Sequence, residues 1–562
     1  MESAAVDAEH AVLPDDALRS FADAIRESAA GLYPGNDATV GFEAPRRPEF
    51  GEFATNVAFS LVRAARRGPQ EVAQALVADL HARAPRVAAL FASIEPVAGF
   101  INLRLAPAIW QAAVARIVRD GEAFARASHH GTRISLEFGS ANPTGPLVVV
   151  QGRALSIGDA LARTMRLRGY DVFVEWIIND AGGQLEMLGR SLFARYRQLT
   201  DPNYPFPEEG YPGEYVTDLA RRLRERDGER WMNAPESECI EAAARFARDE
   251  LVAEQRRSAE RFGVRYDLWQ SERELHESGR VAAGIERLKE LGLTYEEEGA
   301  LFFRATRFGD DKDRVLVRSD GRPTYYCADV AYHYEKLRRA DRVIDILGPD
   351  HHGYIGRLHG LAAAFGYPGR LEVLIAQHVT LMRGEEQVSM SKRAGQLVTL
   401  DEILDEVGVD ATRFFFAMLA TDTPLTFDLK LAVEQSNDNP VYYVQYGHAR
   451  IVSVLRKAGD ADVEAARVAA LDPLVHPAEI ALAGRLAELP NLAQSVVEQL
   501  APHRLARYAR DVASDFHQFY TECRILAEER EVRLARLALC LAAQRVLAIS
   551  LDLLGVKAPD SM

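Results

Sequence analysis

From Arg133 onward, strand-like and helix-like stretches alternate along the chain, and this alternation restricts the fold more than any other feature of the sequence. The strand-like runs are RISLEFG, DVFVEWII, RVIDILG and LEVLIAQHVTL, at residues 133–139, 171–178, 342–348 and 371–381. Helical stretches are predicted at residues 156–168, at 184–197 and from His352 onward. Such βαβ units require a parallel sheet. The sequence therefore predicts an α/β fold with one sheet in two halves, separated by a helical, charged insertion at about 199–299.

The segments on either side of this region have different patterns. Residues 71–84 show helical apolar spacing and residues 99–105 alternate like a strand, which predicts a small α+β domain at 1–128. After about residue 427 only helical patterns remain, most clearly at 478–489 and 533–554. We therefore expect a multidomain α/β protein with an α+β domain at 1–128, a parallel-sheet domain at 129–430 and an all-α helical bundle at 431–562.

Composition excludes several classes of protein. A formal charge of −15 over 562 residues argues against nonspecific coating of nucleic acid, although it leaves one specific RNA possible. The four cysteines form no CxxC pair, so no structural metal and no disulfide framework are expected, and the cysteines are predicted to be buried. No segment reads as a membrane span or a secretory signal, which predicts a soluble, cytoplasmic protein without a membrane partner.

Four polar loops lie where ligands bind in an open parallel sheet, at the carboxyl ends of strands. They contain ANPTGP, NDAGGQ, GPDHHGY and SMSKRAG, at residues 141–146, 179–184, 348–354 and 389–395. Lys392 in the last loop suits a polyphosphate, whose charge develops during transfer. No GxxxxGK[ST] and no GxGxxG occurs in the sequence, so neither a P-loop enzyme nor a dinucleotide enzyme is indicated.

Together with further motifs, these loops resemble those of class I aminoacyl-tRNA synthetases, and specifically the arginyl enzymes, over almost the full length. The motifs are FGEFATNVAF, EFGSANPTGP, NDAGGQ, YPGEY, TYYCADVAYH, LGPDHHGY, SMSKRAG and NPVYYVQYGHAR, in this order. The resemblance implies a Rossmann-like catalytic domain that uses ATP with Mg²⁺ to form arginyl-adenylate and then transfers arginine to tRNA(Arg). It also implies a monomer.

The resemblance further implies an arginine pocket. Glu137 and Asn142 match positions that contact the α-amino end of the substrate, while Tyr325 and Asp329, one helical turn apart, match those that hold the guanidinium. His351 and Gln184 complete the pocket. A planar cation with five donors prefers carboxylates, amide oxygens and an aromatic wall. Without the resemblance, an acid such as Asp329 is normally just solvated, and a histidine such as His351 can cap a helix.

The ATP site departs from the family pattern. Where the family has a His-x-Gly-His motif, this chain reads Val148, Val149, Val150 and Gln151. One lost donor to the triphosphate costs about 3 kcal/mol in a transition state. We expect Gln151, Arg153, Lys392 and the helix end to act instead. The implied ATP-binding residues are Pro143, Thr144, Gly145, Val148, Gln151, Gly152, Gly348, Asp350, His352, Met390, Ser391 and Lys392.

Two interpretations follow from this departure. The chain is either a working arginine–tRNA ligase with a divergent ATP motif, or a catalytically silent paralogue that binds tRNA or arginine as a regulator. The intact arginine pocket, lysine loop and terminal domains favour the enzyme. The resemblance implies that the terminal domains bind tRNA, where aromatic side chains suit splayed bases, although tyrosines at helical spacing also suit a core. The tRNA-binding candidates are Phe53, Asn56, Tyr442, Gln445 and Tyr446.

Overall fold

The computed structural model describes residues 12–35, 38–45, 47–388 and 398–562. The first part of the chain forms a three-stranded antiparallel sheet, in the order β1-β3-β2, covered by helices. Phe21, Leu76 and Ile101 are fully buried in its core. The elements are α1 Pro14–Leu32, β1 Phe53–Thr55, α2 Val57–Ala65, α3 Pro69–Arg83, α4 Pro85–Ala88, β2 Phe91–Val97, β3 Phe100–Leu105 and α5 Pro107–Asp120.

A parallel sheet begins at Arg133, as the alternating pattern predicts. Its first elements are β4 Arg133–Phe138, α6 Val149–Leu167, β5 Asp171–Ile178, α7 Gly183–Gln198, α8 Glu214–Asp227, α9 Glu236–Arg261 and β6 Leu268–Ser271. Helix α6 begins at Val149, seven residues before the predicted start. Valine has a modest helix propensity, but Val149 is almost completely buried, so tertiary packing outweighs that preference.

The next part of the chain, residues 272–433, forms a small antiparallel sheet of β7, β8 and β9, the second half of the parallel sheet, and a sheet of β12, β13 and β14. Its elements are α10 Glu272–Glu277, α11 Arg280–Glu290, β7 Thr294–Glu297, β8 Ala300–Phe303, β9 Arg314–Val317, α12 Tyr326–Arg339, β10 Arg342–Leu347, α13 Ile355–Ala364, β11 Leu371–Ile375, β12 Val379–Arg383, β13 Glu386–Gln387, α14 Leu400–Val407, α15 Val409–Ala417, β14 Leu425–Asp428 and α16 Leu429–Val433. The parallel sheet has the order β11-β10-β4-β5-β6.

Two predictions about this region are wrong in detail. The run at 371–381 is two strands, because β11 pairs with β10 whereas β12 pairs with β13 and β14 in another sheet. The predicted insertion also includes β6, which pairs with β5 as an edge strand of the main sheet. Both errors arise because strand pairing joins residues far apart in sequence, which local periodicity does not record.

The last part of the chain is a helical bundle. Its elements are α17 Pro440–Ala458, α18 Asp460–Ala466, α19 Pro477–Ala487, α20 Leu489–Gln499, α21 His503–Glu522 and α22 Arg530–Leu553. By length and composition α22 could cross a membrane, contrary to the prediction from sequence, but 67% of its most apolar window is buried inside the protein. It packs against α17, α18, α19, α21 and α5, which is typical of a core helix. All four cysteines are free and buried, as predicted.

Candidate active site

A pocket of about 460 Å³ lies where β4, β5 and β10 end. This is the edge of an open parallel sheet at which ligands bind. The structure brings eight predicted site residues together in its lining: Glu137, Asn142, Gln151, Gln184, Tyr325, Asp329, Gly348 and His351. They come from four stretches of the chain, 137–151, 184, 325–329 and 348–351, and the fold makes these stretches neighbours.

Asn142 is held at the pocket by two polar side chains. Its Nδ2 donates to Oε1 of Gln184 at 2.8 Å, and its Oδ1 accepts from Nδ2 of Asn179 at 2.9 Å. Gly182, with φ at 103°, lies so close to Tyr325 that a Cβ would stand 2.3 Å from the tyrosine hydroxyl. The NDAGGQ loop therefore needs glycine here, both for its backbone angle and for the approach of Tyr325.

Asp329 and Glu272 bring two carboxyl groups to the pocket. Neither forms an ion pair with a cationic side chain in the described parts of the chain. Burial raises the pKa of Asp329 to about 6; the positive charges of His333 and Lys336 oppose this rise, and the nearby carboxylates of Glu137 and Asp345 add to it. Burial likewise raises the pKa of Glu272 to about 7, with a contribution from Asp329. A cation bound between them would reverse both shifts.

Glu272 is absent from the residues predicted from sequence. It is the first residue of α10, directly after β6, and it is 6% exposed. The sequence prediction places β6 in the insertion, so it does not bring Glu272 to a sheet edge. The signal for this position is a strand followed directly by Ser271 and Glu272 at the start of a helix.

The ANPTGP loop is fastened by its backbone carbonyl groups. Nε2 of Gln255 donates to the carbonyls of Asn142 and Gly145 at 3.1 and 2.9 Å, and the hydroxyl of Tyr215 donates to that of Thr144 at 2.7 Å. Both anchoring residues belong to the predicted insertion. The insertion therefore holds the loop that leads into α6, a role the sequence left unassigned.

Gln151 caps the start of α6. Its Oε1 accepts from the backbone N–H of Val148 at 3.2 Å, and its side chain lines the pocket. The described residues offer no hydrogen-bond partner to its Nε2, which remains available as a donor. The first-turn N–H groups of α6 also lack partners within the helix. Backbone and amide donors are thus present where the family pattern has histidines.

Arg153 and Gly152 both pack into the interior of the protein. Arg153 is fully buried, and its guanidinium donates to the carbonyls of Gln377 and Ala420 at 3.1 and 2.9 Å. The structure does not bring it to the pocket, which corrects its predicted place beside ATP. A Cβ on Gly152 would lie 2.7 Å from Cδ1 of Leu400, so this glycine permits α6 to pack on α14.

The other described candidates for ATP binding lie near the start of α6 and in the loop after β10. Val148 forms an isolated β-bridge with Thr399, and the N–H of Leu400 donates to the carbonyl of Leu147 at 2.8 Å. Thr399 also caps α14 in a capping box with Glu402. Nε2 of His352 lies 3.2 Å from Nε2 of Gln377. Pro143 is buried and Asp350 is exposed, while Met390, Ser391 and Lys392 lie outside the described residues.

The predicted tRNA-binding residues lie in the first and last parts of the chain. On α17 the rings of Tyr442 and Tyr446 stack at 6.1 Å, and Tyr446 stacks on His517 of α21 at 6.1 Å. Gln445 instead donates to Asp410 and to the carbonyl of Lys557, at 3.0 and 2.9 Å. Phe53 lines a cavity of about 1090 Å³ between the first sheet and the helical bundle, and Asn56 is exposed before α2.

Comparisons with known proteins identify the family. Three family models match the chain: the arginyl tRNA synthetase N terminal domain at 19–105, the class I (R) tRNA synthetase catalytic domain at 233–417 and the DALR anticodon binding domain at 444–562. An arginine–tRNA ligase of Syntrophotalea carbinolica is 43% identical over 537 residues, or 94% of this chain and 96% of the relative. This chain belongs to the arginyl-tRNA synthetases.

Other members of the family extend the comparison. An arginine–tRNA ligase of Heliobacterium modesticaldum is 44% identical over 568 residues, covering 97% of this chain and 99% of the relative. A putative arginyl-tRNA synthetase from Campylobacter jejuni has a TM-score of 0.75 at 32% identity, over 82% of this chain and 100% of that one. The Thermus thermophilus enzyme has a TM-score of 0.74 at 24% identity, over 97% and 100%. The predicted class I synthetase fold is confirmed, and nothing in these comparisons favours a silent paralogue.

Proposed function

We propose that this arginine–tRNA ligase binds the guanidinium of arginine between Asp329 and Glu272. The observation that carries the proposal is that these two pocket carboxyl groups form no ion pair among the described residues. A guanidinium keeps its charge at all relevant pH values and presents donors in a fork that fits carboxylates. Tyr325, one helical turn before Asp329, borders the same end of the pocket.

The α-amino end of arginine is assigned to Glu137 and Asn142. Glu137 lies at the end of β4 with Oε1 accepting from Ser140 at 3.0 Å, so its carboxylate has a fixed orientation. Asn142 is fixed by Gln184 and Asn179, as described above. His351 lines the pocket on the loop after β10. Together these polar groups suit an ammonium and a carboxylate that must be held still for reaction.

The reaction is that of the family. The carboxylate of arginine attacks the α-phosphorus of ATP and expels pyrophosphate, and a terminal ribose hydroxyl of tRNA then attacks the arginyl carbonyl and expels AMP. ATP is the substrate typical of class I synthetases, and we propose Mg²⁺ as its counterion. We assign its phosphates to Gln151, the N–H groups of the first turn of α6, and Lys392, with the ANPTGP loop and Gly348 beside them.

Contacts with tRNA are assigned to the first and last parts of the chain. The stacked rings of Tyr442, Tyr446 and His517 present aromatic faces that suit unstacked bases. Phe53 and Asn56 are the corresponding candidates in the first part of the chain. The proposal keeps the predicted domains at 1–128, 129–430 and 431–562, a monomer, and a cytoplasmic location.

Replacing Asp329 tests the arginine site. We expect Asp329→Asn to raise the KM for arginine about 100-fold, because a buried charge pair worth about 3 kcal/mol is lost. The KM for ATP should stay within about twofold, since Asp329 is assigned no contact with ATP. The measurement is charging of a tRNA(Arg) transcript with labelled arginine. Glu286→Gln, on the exposed side of α11, is the matched control.

The result can also contradict the proposal. An unchanged arginine KM in Asp329→Asn and in Glu272→Gln would show that the guanidinium binds elsewhere. Tight binding of the transcript by the unmodified protein without any charging would favour a silent paralogue.

A further inference from the structure

Three carboxylates stand side by side in the middle of the parallel sheet. Asp345 of β10 is the Cα partner of Glu137 of β4, and Glu137 is the partner of Glu175 of β5. Their exposed fractions are 1%, 4% and 0%. Like charges on neighbouring strands repel, and a buried charge without a partner is costly. The row requires cations from another element.

Helix α12 supplies these cations from one face. His333, Lys336 and Arg339 are spaced three residues apart, so their side chains point to the same side of the helix. Nζ of Lys336, which is fully buried, donates to Oε2 of Glu137 at 2.8 Å and also to Oδ1 of Asp345. Arg339 pairs with Glu175.

His333 is held as an imidazolium by its two partners. Its Nδ1 lies 2.8 Å from the carbonyl oxygen of Asp329, and its Nε2 lies 2.9 Å from Oδ2 of Asp345. A carbonyl oxygen only accepts, and so does an ionised carboxylate. Burial lowers the pKa of His333, but the hydrogen bond to Asp345 and the negative charges of Asp345 and Asp329 together outweigh it and raise the pKa overall. Three acids of the sheet thus face three cations of α12.

Lys336 is shared between two acids, and this sharing has a consequence for the pocket. Glu137 and Asp345 both line the pocket, and both take part in the bond to the same ammonium group. Glu137 therefore receives only part of one positive charge. A second cation that approaches from the pocket can still be attracted to it.

We propose that Lys336 is a positioning residue for arginine. By dividing its charge between Glu137 and Asp345, it fixes the Glu137 carboxylate and leaves it negative enough to accept the α-ammonium of the substrate. This inference rests on the proposed arginine site. Lys336 itself contacts no substrate atom, since it lies beneath the carboxylates on the side of α12.

The test is a cycle of three variants: Lys336→Met, Asp345→Asn and the double variant. Lys336→Met leaves two adjacent carboxylates that repel, and Asp345→Asn gives the whole lysine charge to Glu137. Each single variant is expected to raise the arginine KM about tenfold, with the ATP KM within about twofold. The double variant removes one charge of each sign, so its arginine KM should fall about threefold below that of either single variant.

Lys289→Met serves as the control, because Lys289 is an exposed lysine of α11 that pairs only with Glu286 among the described residues. Its arginine and ATP KM values should equal those of the unmodified enzyme. Thermal unfolding of every variant separates lost stability from lost binding. If Lys336→Met does not fold, the arginine KM of Asp345→Asn is compared with that of the charge-balanced double variant.

Two results would overturn the inference. One is an equal rise of the arginine and ATP KM values in the single variants, which is what a general loss of structure produces. The other is a double variant whose arginine KM rises by the product of the two single-variant increases, as independent defects predict. If Asp329→Asn raises the arginine KM while the cycle shows no recovery, the arginine site stands and only the role of Lys336 fails. If Asp329→Asn has no effect, the site itself is wrong.

Discussion

At the scale of single residues, the pocket contains two buried carboxyl groups, those of Asp329 and Glu272, that form no ion pair among the described residues. Asp329 and Glu272 have raised pKa values because burial penalises their charge and other carboxylates lie close by. Both shifts cost stability as the pH rises, since the folded protein then holds protons that the unfolded chain has released. A guanidinium in the pocket would offset this cost, so substrate binding and proton release are coupled.

This coupling predicts a pH dependence for arginine. With pKa values of about 6 and 7 in the free pocket, both acids must lose protons before they hold a guanidinium. The arginine KM should fall about tenfold or more between about pH 5.5 and pH 7.5. Steady-state charging across this range measures it. In Glu272→Gln, which lacks the acid with the higher pKa, the remaining fall should shift to lower pH; an unshifted profile would remove Glu272 from the site.

At the scale of elements, α6 and α12 connect the sheet to the site. Helix α12 carries Asp329 in its first turn and the three cations of the buried ionic row further on. Helix α6 begins at the pocket with Gln151 and lies so close to β4 that Gly158 touches the ring of Phe138. The position of α6 thus depends on one glycine in its middle.

Gly158→Ala tests this close approach. A Cβ at this position would lie 2.1 Å from Cγ of Phe138, a fully buried ring. We expect the free energy of unfolding to fall by about 2 kcal/mol, because overpacking outweighs the better helix propensity of alanine. Denaturant unfolding measures the change. Gly356→Ala on α13, where a Cβ meets nothing within 4 Å, should be neutral or slightly stabilising.

At the scale of the whole molecule, buried side chains join parts that are far apart in sequence. Arg413 of α15 is fully buried and donates to the carbonyls of Leu554 and Phe262 at 2.9 and 2.8 Å, and to Asp159 of α6. It therefore links the catalytic sheet, the inserted helices and the end of the helical bundle. Nε2 of Gln111 on α5 adds a contact to the bundle through the carbonyl of Leu474, at 3.0 Å.

Arg413→Met is expected to loosen this junction. It leaves Asp159 buried with Arg163 as its only ion-pair partner in the described chain, and it leaves two carbonyl groups without their donor. The free energy of unfolding should fall by about 3 kcal/mol. Thermal unfolding and limited proteolysis near residues 550–562 measure the effect. Arg510→Met, an exposed position on α21, is the control, and an equal loss there would contradict the assignment.

The sequence by itself determined that strands and helices alternate along the sheet domain, and it determined the polar loops that line the pocket, but not β6 or the division of the run at 371–381 into two strands. Local periodicity predicts the strands, and ligand sites of parallel sheets lie at a known edge, which places the polar loops at that edge. The assignment of Glu137, Asn142, Tyr325 and Asp329 to one arginine site came from the resemblance to the arginyl enzymes. Their roles remain predictions, because their contacts with substrate are still to be measured.

Only the tertiary structure decided which charges neutralise one another. Glu272 lies in the pocket because β6 joins the sheet. Arg153 lies outside the pocket lining because its guanidinium donates to two distant carbonyl groups. Lys336 reads in sequence as an ordinary helical lysine, yet it lies between two carboxylates that are 199 and 9 positions away. Burial and ion pairing depend on these long-range contacts, and local sequence patterns carry no record of them.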